Sequence, residues 1–408
     1  MKALATGEAL ERPAIVGGTP IRPTFLVFGR PALEETEIQE VMDTLRSGWI
    51  GTGPKVSRFE DQFKAYKQVP YAMAVNSCTA ALHLSLLAMD IGAGDEVITT
   101  PMTFCASVNA VLHAGATPVF ADCDKESMNI DAREIEKHIT SKTKAILLVH
   151  FAGRPCEMDA ILAVAQKHQL KVVEDCAHAI ETEYHGRKVG SMGDVGCFSF
   201  YVTKNVTTGE GGMVTTANKQ LEERIKRLAL HGMSKDAWKR FSDTGYKHYS
   251  VMEAGFKYNM TDLQASLGLH QLARAEKNWL KRKSIWERYQ SAFKNLPCIL
   301  PAEPEPNTRH AYHLYTLLVD TERLSVSRDF LLDAFVKENI GVGVHYVSLN
   351  HHEFYQKAVS NGSERFPNSE FISERTLSLP LSPALTDSDV TDVISAVRRL
   401  LNYYKKTA

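Results

Sequence analysis

Short apolar runs alternate with helical patterns between residues 71 and 215, and this alternation constrains the fold more than any other feature of the sequence. The runs are residues 71–75, 96–99, 117–121, 145–149, 171–173, 195–200 and 212–215. Several are apolar at consecutive positions, as expected where helices cover both faces of a parallel sheet. The pattern predicts a large α/β domain with a mainly parallel, seven-stranded sheet.

Helical and strand patterns outside this region predict the rest of the organisation. A helix is expected over 33–47, ended by Gly48, and one long helix from 262 to about 296. Beyond it, the patterns predict strands at 312–319 and 342–346 and helices at 327–338 and 388–404. We therefore predict an N-terminal extension (1–27), a large domain (28–265) and a smaller C-terminal α+β domain (266–408). Nothing in the first 25 residues indicates their role.

Charge and cysteine content exclude several classes of protein. The 47 Lys and Arg residues balance 48 Asp and Glu residues, so no bulk positive field attracts nucleic acid. Seven cysteines without a CxxC pair indicate neither a disulfide framework nor a zinc site. His345, His351 and His352 lack an acidic or cysteine companion, so no metal is predicted. Without a long apolar run, the chain is expected to be cytoplasmic and not membrane-bound.

Two candidate site motifs follow predicted strands. Residues 76–81, NSCTAA, open an apolar helix, where free backbone N–H groups could bind a phosphate; a plain N-cap by Ser77 or Thr79 is the favoured reading of this motif alone. Glu174 and Asp175 end a buried strand, where a carboxylate needs a partner. A helix cap explains this second motif equally well.

The third motif is residues 198–212, FSFYVTKNVTTGEGG, in which a strand is expected to end in Lys204. Apolar and hydroxyl neighbours favour burial of this lysine, which lowers the pKa of the amine and makes it a nucleophile for Schiff-base formation. Most lysines are simply solvated, but this position favours the functional interpretation. Asp175 lies 29 residues earlier, one βα crossover away, so both side chains are expected in one pocket.

With these motifs in order, the sequence resembles the sugar-nucleotide aminotransferases of the DegT/DnrJ family, which are fold-type I pyridoxal phosphate (PLP) enzymes. Within that family it is most similar to the enzymes that form UDP-4-amino-4-deoxy-L-arabinose. The resemblance extends from about Phe28 to the end of the chain. The segments that carry it are residues 47–60, 76–83, 94–104, 172–179, 198–212 and 255–265.

The resemblance assigns a role to each candidate residue. Lys204 is expected to hold PLP and to move protons, and Asp175 to pair with the pyridine nitrogen. The other expected PLP contacts are His178 at the phenolic oxygen, Phe104 on the ring face, Cys78, Thr79 and Ser199 at the phosphate, and Asn259 from a neighbouring subunit at the same phosphate. Asn259 therefore implies a homodimer with a shared active site. Core packing is the alternative for His178 and Phe104, and an N-cap, with Thr261 as rival, is the alternative for Asn259.

The resemblance also implies the reaction, in which L-glutamate donates its amino group to a keto sugar carried on a nucleoside diphosphate. A 4-keto sugar is expected, with a 3-keto sugar as the alternative. Such enzymes serve amino-sugar and polysaccharide biosynthesis. A basic segment offers Lys235, Lys239 or Arg240 for the diphosphate and Trp238 for the nucleotide, or is a solvated loop. A sugar dehydratase is disfavoured because its subgroup replaces the lysine with histidine. A cyclitol-like ketone substrate is only weakly excluded, and the Lys204–Asp175 pair disfavours a non-catalytic regulator.

Overall fold

A seven-stranded sheet lies at the centre of the computed structural model, which describes residues 11–234 and 249–406. Within these ranges the strands are β1 (Tyr71–Val75), β2 (Glu96–Thr99), β3 (Thr117–Phe120), β4 (Thr143–Val149), β5 (Lys171–Asp175), β6 (Glu183–Tyr184), β7 (Arg187–Lys188), β8 (Val195–Ser199), β9 (Gly212–Thr216), β10 (Cys298–Ile299), β11 (Thr308–Arg309), β12 (Tyr315–Val319) and β13 (Thr376–Leu379). The α-helices are α1 (Glu35–Ser47), α2 (Pro54–Lys67), α3 (Cys78–Ala88), α4 (Cys105–His113), α5 (Ala132–Lys137), α6 (Met158–His168), α7 (Lys219–Ala229), α8 (Asp262–Ala273), α9 (Ala275–Phe293), α10 (Arg328–Lys337), α11 (Glu353–Ala358), α12 (Pro367–Arg375) and α13 (Asp387–Tyr403). None of these helices has the length and apolar content needed to cross a membrane.

The strand order of the central sheet is β1-β9-β8-β5-β4-β2-β3. Strands β8, β5, β4, β2 and β3 pair in parallel, while β9 is antiparallel to both β1 and β8. The predicted mainly parallel, seven-stranded sheet is thus confirmed. Because β9 alone is reversed, β1, β2, β5 and β8 all end at one edge of the sheet, where ligands collect in open α/β folds.

Helices cover both faces of this sheet, which explains the consecutive apolar residues in its strands. On β4, Ala145, Leu147 and Val149 belong to the buried cluster that includes α3. Ile146 and Leu148 face the opposite way, into the cluster that includes α6. Since side chains alternate along a strand, an apolar residue is needed at every position of a strand buried on both faces.

A second buried core surrounds the small sheet β10-β12-β13, where Trp286, Tyr289 and Phe293 of α9 pack with Tyr315. The prediction of one helix from 262 to 296 is wrong, because Arg274 separates α8 from α9. The predicted strand at 342–346 is also wrong, since only Gly343 makes an isolated bridge, to Ser378. The boundary between residues 265 and 266 stays a prediction.

The N-terminal segment packs on this second core through Glu338. The Glu338 side chain is fully buried and accepts hydrogen bonds from the backbone N–H groups of Ala14 and Ile21, each at 2.9 Å. Arg399 Nη1 lies 3.0 Å from the same carboxylate. Leu26 then pairs with the chain beside Ile340. The structural role of residues 14–26, which the sequence did not indicate, is to cover the second buried core.

Replacing Glu338 with alanine is expected to lower the free energy of unfolding by about 3 kcal/mol, because two backbone donors and Arg399 lose their buried acceptor. Urea denaturation measures the change. Glu322→Ala, at an exposed position, is the matched control and should cost less than about 0.5 kcal/mol. Equal losses in the two variants would contradict the anchoring role of Glu338.

Candidate active site

A cavity of about 540 Å³ lies at the carboxyl edge of the central sheet. Its wall contains all but one of the residues that the sequence assigned to the site: Cys78, Thr79, Phe104, Asp175, His178, Ser199 and Lys204. These residues lie at the ends of β1, β2, β5 and β8 or in the segments that follow them, and these strand ends meet at one edge of the sheet. The exception, Asn259, lies outside the cavity.

Lys204 lies in the loop between β8 and β9, a few residues beyond Ser199, where β8 ends. Its backbone N–H donates to the Tyr201 carbonyl at 2.9 Å, which fixes the start of the loop. Burial lowers the pKa of the Lys204 amine to about 8, against the opposing influence of the Cys78 and Asp175 side chains. About a tenth of this amine is therefore unprotonated at pH 7, and the unprotonated form is the nucleophile.

Asp175 ends β5 with its carboxylate held from two sides. Oδ1 accepts from the Ala177 N–H at 3.0 Å, and Oδ2 accepts from Ser107 Oγ at 2.8 Å. Burial raises the pKa of Asp175, and these two hydrogen bonds and Lys204 oppose that effect. Ser107 in turn lies 2.9 Å from Thr103 Oγ1. The sequence gave no local signal for Ser107, which is a serine inside a helix.

Glu174, the neighbour of Asp175, points to the other side of β5 and has a structural role. Its carboxylate accepts from the backbone N–H groups of Gly190, Met192 and Gly193 and from His150 Nε2 at 3.1 Å. Although burial raises the pKa of Glu174, the hydrogen bonds hold it below its usual value. The two carboxylates therefore have separate functions.

His150, Glu174 and Cys176 form the one group of potential metal ligands that the described residues bring together, with ligand atoms within 4.8 Å of one another. His150 Nδ1 already accepts from the Cys156 N–H at 3.0 Å, and Glu174 accepts four donors. The ligand atoms of His150 and Glu174 therefore already have hydrogen-bond partners within the protein.

Helix α3 directs its N-terminus at the cavity. Ser77 is its N-cap and accepts from the Ala80 N–H at 3.1 Å, so Ser77, not Thr79, fills the capping role. The N–H groups of Cys78 and Thr79 have no partner within the helix and are placed to bind an anion. Gly212 permits this arrangement, since a Cβ there would lie 2.4 Å from the Ser77 carbonyl carbon.

His178 lies in the cavity wall as a neutral imidazole. Its Nδ1 accepts from the Ala152 N–H at 3.2 Å, so Nε2 carries the proton and donates to Tyr346 Oη at 3.1 Å. Burial and the nearby Lys204 hold the pKa of His178 well below its usual range. Tyr346 and the adjacent His345 line the cavity too. The sequence assigned no individual role to either residue.

Phe104 is 57% exposed, and its ring lies 5.9 Å from that of Tyr346 on the cavity wall. The core-packing alternative for Phe104 is therefore wrong. Its position in the loop after β2, as the N-cap residue of α4, places the ring on the cavity wall without burying it. This exposure leaves one face of the ring free for a planar ligand.

Asn259 lies beside a second cavity of about 910 Å³, whose wall includes Trp49, Thr52 and Met252. Its Nδ2 donates to Thr52 Oγ1 at 2.6 Å. The N-cap alternative is wrong for Asn259, because Thr261 caps α8. Lys235, Trp238, Lys239 and Arg240, proposed from the sequence for the nucleotide, lie outside the described residues.

The DegT/DnrJ/EryC1/StrS aminotransferase family matches residues 31–398. The chain belongs to this family. The prediction from the sequence, a fold-type I enzyme with PLP as cofactor, is thereby confirmed. The cavity that contains Lys204 and Asp175 is the candidate active site of an aminotransferase.

Several known proteins resemble this chain closely in sequence and structure. The spore coat polysaccharide biosynthesis protein SpsC of Bacillus subtilis is 50% identical over 381 residues, 93% of this chain and 98% of SpsC. Spr1654 of Streptococcus pneumoniae, a protein solved in PMP and PLP forms, has a TM-score of 0.87 and 34% identity in the PMP form, over 93% of this chain and all of that one. DesI, solved in the presence of its TDP-sugar product, has a TM-score of 0.85 and 29% identity over 96% of both chains.

Proposed function

We propose that this family member transfers the amino group of L-glutamate to a 4-keto sugar linked to a nucleoside diphosphate, for amino-sugar and polysaccharide biosynthesis. The observation that carries the proposal is the placement of Lys204 and Asp175 in one cavity at the carboxyl edge of the sheet. The relationship to SpsC and to DesI, with its TDP-sugar product, supports a nucleotide sugar as acceptor. Enzymes that form UDP-4-amino-4-deoxy-L-arabinose remain our model for the reaction.

The side chains of the cavity fit PLP in charge and in donor type. When bound, PLP supplies an electron sink for the carbanion that forms when the amino donor loses its α-proton. Lys204 would hold the cofactor covalently, and the Asp175 carboxylate would keep the pyridine nitrogen protonated. The remaining contacts proposed are Cys78, Thr79 and Ser199 at the phosphate, Phe104 on the ring face and His178 at the phenolic oxygen.

Lys204 is also the proposed base of the reaction. Its amine would take the proton from the α-carbon of glutamate. A pKa of about 8 matches this task, because a general base works best with a pKa near the operating pH. The hydrogen bonds from Ser107 Oγ and the Ala177 N–H orient the Asp175 carboxylate, which would remain available to the pyridine nitrogen.

A panel of 3-keto and 4-keto sugars carried on UDP, dTDP or GDP tests the proposed reaction. With L-glutamate, at least one 4-keto sugar nucleotide is expected to be aminated with one equivalent of 2-oxoglutarate, and initial-rate plots should give parallel lines, as a two-step exchange through a covalently modified enzyme requires. The corresponding 4-hydroxy sugar nucleotide is the matched control. Amination of a cyclitol ketone, but of no sugar nucleotide, would contradict the proposal.

We further propose a homodimer in which Asn259 reaches the cofactor phosphate of the neighbouring subunit. Among the described residues that line the cavity, Lys204 is the sole Lys or Arg, so an anionic ligand needs further donors. Asn259 borders a second cavity beside Trp49 and Met252, which are 54% and 63% exposed, and a partner subunit would cover both.

A cytoplasmic location fits the seven free cysteines.

Mixed dimers test the shared site. Lys204→Ala and Asn259→Asp chains are each expected to be nearly inactive, the second because a carboxylate repels the phosphate. After the two are unfolded together and reassembled, a hybrid dimer contains one site with both native residues. Random pairing should then restore about a quarter of the wild-type activity, since half of the dimers are hybrid. Activity that merely equals the mean of the two variants would contradict the shared site.

A further inference from the structure

Four buried polar side chains form a network behind the cavity wall, linked by two hydrogen bonds and one ring stack: Glu181, Asn205, His313 and His178. Their exposed fractions are 0%, 4%, 5% and 5%. Asn205 directly follows Lys204, and His178 lines the cavity. This network therefore connects the protein interior to the candidate active site at two points, Lys204 and His178.

The orientation of the Asn205 amide is fixed by its neighbours. Nδ2 donates to Glu181 Oε2 at 2.8 Å and to the Ala311 carbonyl at 3.0 Å. A carbonyl oxygen only accepts, so the amide nitrogen must occupy this side. Asn205 Oδ1 consequently faces His313 Nδ1 at 2.9 Å, and His313 must carry its proton on Nδ1 in order to donate.

His313 stacks on His178, with ring centroids 4.4 Å apart and an interplanar angle of 30°. Burial, together with His178 and Lys204, holds the pKa of His313 well below its usual range, so both rings of the stack are neutral. Their tautomers are opposite, because His178 accepts at Nδ1 from the Ala152 N–H and donates from Nε2 to Tyr346. A displaced His313 would remove the surface on which His178 rests.

We propose that Asn205 is a positioning residue of this active site, with Glu181 fixing its amide. Through His313 it holds His178 in the cavity wall with the Nε2 proton directed at Tyr346, and its side-chain bonds hold the backbone next to Lys204. The importance of Asn205 for catalysis rests on the proposed function, whereas the tautomers of His313 and His178 do not depend on that function.

Three variants separate positioning from structural support. Asn205→Leu keeps the shape and removes every hydrogen bond of the amide. The double variant Glu181→Leu/Asn205→Leu also removes the carboxylate that would otherwise lose its donor. The Ala311 carbonyl and the His313 Nδ1–H lose their partner in both variants, so urea denaturation first establishes that each variant is folded. Glu181→Gln is the conservative control. Glu181 Oε1 has no hydrogen-bond partner among the described residues, so the new NH₂ group can take that side while Asn205 keeps its acceptor.

The first measurement uses the cofactor-free protein labelled with ¹⁵N-histidine, with the two resonances assigned by substituting each histidine. In two-bond ¹H–¹⁵N spectra, the wild type and Glu181→Gln are expected to show a neutral Nδ1–H ring for His313 and a neutral Nε2–H ring for His178. Asn205→Leu and the double variant should lose the Nδ1–H pattern of His313. An unchanged His313 signal in the double variant would overturn the proposal.

The second measurement is the rate at which glutamate converts the PLP form of each variant. The double variant should react about tenfold to a hundredfold more slowly than the wild type, because a small displacement of the wall misplaces the reacting groups, while Glu181→Gln should stay within about twofold. A wild-type rate in a folded double variant would overturn the positioning role. If the spectra and rates respond as expected but no sugar nucleotide is aminated, the positioning role is supported and the proposed sugar acceptor fails.

Discussion

Replacing Lys204 with alanine is expected to abolish covalent attachment of PLP and to lower the amino-transfer rate by about 10⁴-fold or more, because one amine provides both the attachment point and the base. Absorbance spectra would show the loss of the protein-bound chromophore. In the wild type, borohydride reduction followed by peptide mapping should place the pyridoxyl group on Lys204.

Lys67 is the natural control for this experiment. Burial lowers its pKa to about 8, as it does for Lys204. However, Lys67 Nζ donates to the Ile180 carbonyl at 2.9 Å and lies over the Phe198 ring, and it is not part of the cavity wall. A pyridoxyl group mapped to Lys67 would contradict the assignment of the site. The two lysines share a lowered pKa and differ in their access to the cavity, so access is the property that the experiment tests.

The pH dependence of PLP binding follows from the lowered pKa of Lys204. The unprotonated amine attacks the aldehyde, so the rate for the cofactor-free protein should rise about tenfold per pH unit below pH 8 and level off above it. A lysine with the ordinary pKa of 10.5 would react about 300-fold more slowly at pH 7. A rate that still climbs steeply above pH 9 would show that the amine is not buried as described.

Replacing Asp175 with asparagine is expected to lower the rate of the glutamate half-reaction by about 10³-fold or more. The amide carries no charge to keep the pyridine nitrogen protonated, so the cofactor loses most of its capacity to stabilise the carbanion. Single-turnover absorbance measurements give this rate directly. Covalent attachment to Lys204 should persist, which separates the effect from a loss of cofactor.

Ser107→Ala is the matched control for Asp175. It removes one hydrogen bond to the Asp175 carboxylate, at 2.8 Å, but keeps its charge and its bond from the Ala177 N–H. The half-reaction should slow by about tenfold or less, as expected for one buried hydrogen bond. If Asp175→Asn and Ser107→Ala slowed the reaction equally, the charge of Asp175 would not be the decisive property.

The central sheet was predictable from the sequence, because turn residues bound each apolar run and helical patterns alternate with the runs. The break at Arg274 was not, since neither glycine nor proline interrupts the helical pattern there. The alternation of Val342, Val344 and Tyr346 predicted a strand, but no neighbouring strand pairs along this stretch of the described structure. Tyr346 instead faces the cavity.

Residues at strand ends were predictable as site residues because their position in a βα unit fixes where they lie. Asp175, the last residue of β5, is an example. The expected strand end at Lys204 was wrong, because β8 ends at Ser199 and Lys204 lies in the following loop, but that loop still leads into the same cavity. Ser107, Asn205 and His313 were not predictable, since their roles depend on contacts between segments far apart in the chain, 68 residues in the case of Ser107 and Asp175 and 108 for Asn205 and His313. Sequence spacing alone carries no information about such contacts.

The opposite directions of Glu174 and Asp175 have a consequence for folding accuracy. If β5 slipped by one residue against its neighbours, the two acids would exchange sides. The shorter aspartate would then have to satisfy the amides of Gly190, Met192 and Gly193, and the glutamate would protrude one methylene further into the cavity. The hydrogen bonds from these amides to Glu174 therefore favour the strand register in which Asp175 faces the cavity.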